Sequence, residues 1–143
     1  MYEDTIELLK ECNSGCKSAT NSMEQVYDFL KEGKLKETIK KYNKKHIELG
    51  DKCHALLNKE NESEKDPDKI AKVFSWISTE VKLMVNDAES KIADLMVDGC
   101  NMGIKSLSKY RNKYKGASKE SIEIVEELIE IEEDFMKELL VYL

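Results

Sequence analysis

The chain has 143 residues, of which 41% are hydrophobic and 36% charged, and its formal net charge is −6. One core suffices for that length, so residues 1–143 read as a single domain, and no stretch approaches the roughly 20 apolar residues of a membrane-crossing helix. The acidic balance argues against nonspecific nucleic-acid binding, which depends on concentrated Lys and Arg to displace counterions from phosphates.

Met1-Tyr2-Glu3-Asp4 is acidic and lacks the basic and apolar regions of a secretory signal, so a cytoplasmic location is the expectation. Helix formers dominate the rest of the chain, Pro67 is the only proline, and the turn clusters of β proteins are scarce. A first helix is predicted from Tyr2 to Glu32, with Gly33 where a left-handed C-terminal residue belongs. A second covers Leu35 to Asn58. The polar run Lys59 to Lys65 reads as a loop, after which Asp66-Pro67 supplies an N-cap and a proline at the first helical position. The third helix then carries Ile70, Val73, Phe74, Ile77, Val81 and Met84 at helical spacing. Asp87 caps a fourth helix reaching Tyr114, Gly116 ends it, and Ser118 caps a fifth that runs to the last residue.

Four of these helices alternate three and four residues between small or apolar positions, the period of antiparallel helices packed at shallow angles. The first gives Leu9, Cys12, Cys16, Ala19, Met23, Val26 and Leu30; the second gives Leu35, Ile39, Tyr42, His46, Leu49, Cys53 and Leu56. The fourth gives Ala93, Met96, Cys100, Gly103, Leu107, Tyr110 and Tyr114; the fifth gives Ile122, Val125, Ile129, Glu132, Met136, Leu139 and Leu143. His46 and Glu132 are the two polar interruptions.

Short links make the first and second helices one hairpin and the fourth and fifth another. The third, roughly 28 Å long at the standard rise, is long enough to cross back along the bundle. That crossover sets the second helix antiparallel to the fifth. Charge favours the same pairing: Lys34 to Lys59 holds eight Lys against Glu37, Glu48 and Asp51, whereas Ala117 to Leu143 holds nine acids against Lys119 and Lys137. Exposed ion pairs contribute little each, so the bias is modest.

The expected fold is therefore all-α, two helical hairpins joined by a helical crossover, which is the plan of a ferritin-like four-helix bundle. Phe74-Ser75-Trp76-Ile77, together with a helix reading Asp98-Gly99-Cys100 through Ser108-Lys109-Tyr110, resembles an uncharacterised bacterial ferritin-like family over most of the chain. The resemblance implies the fold and supplies no reaction.

Di-iron bundles take a Glu from each of two helices and Glu-x-x-His from each of the other two, all inward. Here the first helix has no acid on its stripe and the fifth has no histidine. The nearest imitation, Asp51-Lys52-Cys53-His54, points Asp51 away from Cys53 and toward water at 100° per residue. A second candidate is thiol chemistry. Cys12 and Cys16 share a face of the first helix and Cys53 falls opposite Cys12, so three thiols can converge with His54 at the edge. That set resembles the thiol-lined interiors of bacterial copper-storage bundles and suits Cu(I) or Zn; the plainer reading is reduced cysteines packed as small core residues. The third candidate is a buried polar pair, His46 with Glu132, which Tyr42 can join and beside which Gly103 leaves room. No nucleophile motif or Gly-rich phosphate loop accompanies it. The expected function is a noncatalytic interaction or stress-associated module with no di-iron centre and no cofactor, partnered by another protein or a second copy. Thiol-based sequestration of Cu(I) or Zn on Cys12, Cys16, Cys53 and His54 is the alternative.

Overall fold

The computed structural model describes residues 2–60 and 88–143, and these form four α-helices and one 3₁₀ turn with no strand among the described residues. They are α1 (Tyr2–Tyr27), α2 (Lys34–Lys59), α3 (Ala88–Lys113) and α4 (Lys119–Leu139), with the turn at Leu140–Tyr142. The fourth and fifth helices expected from sequence are thus α3 and α4. The expected third helix, with Asp66-Pro67 and the Asp87 cap, lies outside the described residues.

The start of α4 obeys its sequence signal. Ser118 is extended at the N-cap and its hydroxyl accepts the Ser121 amide at 3.2 Å, which satisfies one of the amides a helix start leaves open. The end of α1 departs from expectation: the helix stops at Tyr27 rather than Glu32. Phe29 N then donates to Val26 O at 3.1 Å and Leu30 N to Tyr27 O at 3.2 Å. These tight turns fold Leu30 in beside Val26 and Leu35, closing one end of the core. Gly33 is not the left-handed terminator that its position predicts. Its backbone is extended, at φ 161° and ψ −170°, and it serves as the N-cap of α2.

α1 and α2 pack as an antiparallel hairpin held close at Gly50, where an added Cβ would meet the Cys16 Cβ at 3.2 Å. α3 and α4 form the second hairpin. α2 lies against α4, with His46 facing Glu132 and the Lys41 Nζ 2.9 Å from Glu138, so the two helices are antiparallel and the basic one does meet the acidic one. α1 runs parallel to α4: Gly116 N donates to Asp4 Oδ2 at 2.9 Å and Ser118 N to Thr5 Oγ1 at 2.8 Å, latching the two helix starts together. The start of α2 shares its end of the core with the start of α3, through Leu35, Ile39, Ile92 and Ala93. α2 and α3 are therefore parallel, so the end of α2 and the start of α3 lie at opposite ends of helices that are each about 39 Å long at 1.5 Å per residue.

The core divides into two apolar halves. One gathers Leu9, Cys12, Leu49, Cys53, Leu107 and Leu128; the other gathers Met23, Val26, Ile39, Ile92, Met96 and Leu139. Two stripes depart in part from the expected positions. In α4 the expected Val125, Ile129, Glu132 and Leu139 are buried, but the buried face is wider and also takes in Ser121, Ile124, Leu128 and Phe135, while Met136 is half-buried and Leu143 is 57% exposed. In α2, Leu57 replaces Leu56 as the last core residue.

Candidate functional site

The boundary between the two apolar halves is a polar layer, with His46 from α2 and Glu132 from α4 meeting beside Gly103 of α3. His46 sits between Leu49 of one half and Tyr42 of the other; Glu132 sits between Ile129 and Phe135 in the same way. His46 is fully buried and Glu132 is 7% exposed. The His46 Nε2 hydrogen-bonds a Glu132 carboxylate oxygen, and Nδ1 lies 2.6 Å from the Tyr42 carbonyl oxygen.

That carbonyl can only accept, so Nδ1 carries a proton and donates. The short contact on the other side of the ring then holds one proton between Nε2 and Glu132. Burial pulls the His46 pKa down, but the hydrogen bond and charge of Glu132, helped by the Tyr42 carbonyl, more than offset it and leave it above the ordinary 6.5. The His46 side chain and the Glu132 carboxyl group thus satisfy one another inside the bundle. Cys100 adds a third contact, its thiol donating to the same carboxylate, and burial, then the Glu132 charge, holds that thiol protonated. The remaining face of Glu132 abuts Gly103, where an added Cβ would lie 3.3 Å from Oε2.

Tyr42 joins the pair through its backbone, while its side chain does something else. The hydroxyl donates to Glu138, which also receives the Lys41 Nζ at 2.9 Å. Burial, then the hydrogen bond to Glu138, raises the Tyr42 pKa. Its ring stacks on Phe135 with centroids 4.7 Å apart, and Phe135 presents itself edgewise to His46 at 6.5 Å. Phe135 is the residue that stripe reasoning missed, and it screens the ion pair from water on that side.

All four cysteines are free thiols and buried. Cys12 and Cys53 hydrogen-bond each other, and that bond, then burial, pushes the Cys12 pKa up; burial, then Cys53, does the same to Cys16. The three thiols share one half of the core, whereas Cys100 lies in the other. His54 is exposed and lines an outer groove between α1 and α2 with Asp51 and Lys17. Among the described residues no group of three or more His, Cys, Asp and Glu side chains is gathered as a metal centre requires.

One feature has no counterpart in the apolar pattern. A cavity of about 320 Å³ opens between α1 and α3, floored by Leu128, Glu132 and Phe135 of α4. Its α1 wall carries Ser14, Gly15, Ser18, Ala19 and Ser22, and its α3 wall carries Gly99, Cys100 and Gly103. Ser14 and Ser18 are 1% and 7% exposed, and their hydroxyl oxygens have no hydrogen-bond partner among the described residues; Asn13 Nδ2 on α1 and Asn43 Oδ1 on α2 are in the same condition. A buried hydroxyl left unpaired costs roughly 1–3 kcal/mol, so the serines are a poor choice for a wall that only packs. These residues are small and polar at helical spacing, a signal present in the sequence but invisible to a search for apolar periodicity.

Comparison with family models, curated proteins and solved structures finds no match for this chain. No helix among the described residues is long and apolar enough to cross a membrane.

Proposed function

We propose that this chain is a noncatalytic ferritin-like bundle that acts by binding, as an interaction or stress-associated module, and works without a di-iron centre. The ferritin-like reading draws support from the two antiparallel hairpins, the α2–α4 contact and the parallel α2 and α3. The observation that carries the functional reading is the closed His46–Glu132 pair. The buried ionisable groups at mid-bundle are spent on each other, and the buried positions of α1 and α3 bring no carboxylate to them. Hard iron needs several. Binding to a protein partner or a second copy is supported by apolar surface at one end of the bundle, where Leu140 and Val141 are 49% and 81% exposed.

Aerobic loading of the reduced protein with Fe(II) tests the metal half of this reading. The expected result is no ferroxidase rate above the protein-free control; two irons per chain held by inward side chains would overturn it. Light scattering tests the binding half, with Val141→Asp expected to shift any self-association or partner complex toward the free chain.

The second reading, sequestration of Cu(I) or Zn by Cys12, Cys16 and Cys53, is favoured by the Cys12–Cys53 contact alone. Against it stands the protonated state of Cys12 and Cys16, since metals bind thiolates. Titration with Cu(I) against a competing chelator separates the two readings.

A further inference from the structure

We propose that the cavity between α1 and α3 is a binding site for a small uncharged amphiphile: an apolar body carrying one neutral oxygen group, a hydroxyl or a carbonyl. The site stands whether or not the bundle is ferritin-like. Space, unmet hydrogen bonding and the state of the charges lead to it separately.

Ser14 and Ser18 against Gly99 and Gly103 carry little bulk, yet the backbones do not close over them and about 320 Å³ stays open. That volume falls at the small end of ligand cavities, which run from about 300 to 1,000 Å³. A protein cavity of about 150 Å³ holds a benzene, so a ring with a short chain is a body of the right size. Met23, Leu107, Leu128 and Phe135 give that body an apolar surface to cover.

The polar end is set by unmet hydrogen bonding. The Ser14 and Ser18 hydroxyls are buried, line the cavity and have no partner among the described residues. Ser22, one turn on, shows how such a residue is normally satisfied: its hydroxyl donates to the Ser18 carbonyl at 3.0 Å. Ser14 and Ser18 are four residues apart and so share a face of α1. An oxygen entering between them can accept a hydrogen bond from each, and a hydroxyl can also donate. Water alone is a poor filling, because an enclosed water needs about two to four polar partners and the apolar side chains opposite offer none.

Charge decides against an ion. Glu132 is closed onto His46 and the Cys100 thiol, Glu11 has a contact of its own, and no Lys, Arg or His among the described residues lines the cavity. Both carboxylates are thus engaged already. A ligand's ammonium, carboxylate or phosphate would enter an apolar space with no counter-ion reserved for it, which is costly. A neutral oxygen avoids that cost and meets the two groups that are unpaired.

The experiment uses the full chain and four probes of similar shape: 3-phenyl-1-propanol, butylbenzene, 3-phenylpropylamine and 3-phenylpropanoate. Affinities are read by ligand-observed NMR and checked by calorimetry. The expected result is one alcohol per chain, bound at least about tenfold more tightly than the amine or the carboxylate, the discrimination that ~1.4 kcal/mol supplies. Replacing both serines, Ser14→Ala with Ser18→Ala, should weaken the alcohol about tenfold and leave butylbenzene, which has no oxygen, unchanged. That variant should melt no lower than the parent, since it removes two orphan hydroxyls and alanine is the better helix former. Ser18→Leu fills the cavity and should abolish binding of both neutral probes. If Ser18→Leu does not fold, the charge discrimination and the paired alanine variant still decide the matter. Failure of all four probes to bind would overturn the proposal and leave a solvent-filled cavity. An amine or carboxylate that matches the alcohol, alanine replacements that shift the alcohol and butylbenzene alike, or binding that survives Ser18→Leu would overturn it too.

Discussion

The His46 ring is held from both sides: Nδ1 donates to the Tyr42 carbonyl at 2.6 Å, one helical turn back, and Nε2 donates to Glu132 across the α2–α4 interface. The ring therefore has no freedom to turn away if its partner is lost. This makes the pair a register device. A one-turn slip of α4 against α2 would put Leu128 or Met136 opposite the imidazole and leave it unpaired in an apolar layer.

Removing one partner should accordingly be costly. Glu132→Leu strands a buried imidazole and His46→Leu strands a buried carboxylate; breaking such a pair costs about 3–5 kcal/mol when the survivor stays charged and roughly 1–3 when it neutralises. The double variant should recover much of the loss, because apolar replacements for a buried pair are often neutral. A double-mutant cycle of denaturant unfolding measures the coupling. Additive changes would show that the two side chains contribute independently.

The same pair sets a pH dependence. The folded His46 pKa lies above its unfolded value of 6.5, so the folded state binds the proton more tightly. Stability from this group is complete below pH 6.5 and is lost as pH rises through the folded value, where Nε2 would turn a lone pair toward the Glu132 carboxylate. The slope for one proton is at most about 1.4 kcal/mol per pH unit. Unfolding free energies measured from pH 6 to 9 should fall in the parent and lose that component in the His46→Leu, Glu132→Leu double variant. The Cys12, Cys16 and Cys100 thiols are all raised above their usual 9.0 and stay out of the window.

The cysteines should behave as packing. Cys12, Cys16 and Cys53 are at most 2% exposed, so reaction with a thiol reagent requires opening of the α1–α2 hairpin. Labelling at all three should track unfolding as denaturant is added, and Val at each position, slightly larger than Cys, should cost no more than the roughly 1–3 kcal/mol of small-to-large core changes. Labelling at the free-thiol rate in buffer would mean that the hairpin opens on its own.

Much of the fold is legible in the sequence. The α1–α2 and α3–α4 hairpins come from apolar spacing with Ser118 and Gly116 as punctuation, and His46 and Glu132 stand out because each breaks an otherwise apolar line. What escapes has three physical causes. Gly33 misleads because glycine is favoured both where φ is positive and where a helix starts, and only coordinates separate an end from a beginning. The Ser14, Ser18, Gly99 and Gly103 walls go unseen because burial of small polar residues leaves no mark in hydrophobicity. Phe135 is missed because a narrow three-four stripe allots one residue to each turn, whereas the buried face of α4 is wide enough to take Ile124 with Val125 and Leu128 with Ile129.

Two glycines give the sharpest contrast. Gly15 and Gly103 both lie inside helices and both line the cavity, so helix propensity favours Ala at each by about 1 kcal/mol. At Gly15 the new methyl would find Leu128 Cδ2 at 3.8 Å, an ordinary contact, and Gly15→Ala should stabilise by up to that amount. At Gly103 it would lie 3.3 Å from Glu132 Oε2 and 3.6 Å from Cδ. A surface carboxylate would move aside, but this one is tied to His46 and Cys100, and a hydrogen bond to a charged group is worth about 1.5–3 kcal/mol. Straining it outweighs the gain in propensity, so Gly103→Ala should destabilise the protein. The reason can be isolated by repeating the substitution in a His46→Leu, Glu132→Ala background, where the carboxylate is gone and the methyl has room. There Gly103→Ala should become stabilising, and the change of sign is read from denaturant midpoints at constant m-value. A Gly103→Ala penalty of the same size in both backgrounds would place the obstruction elsewhere on α4 and detach Gly103 from the ion pair.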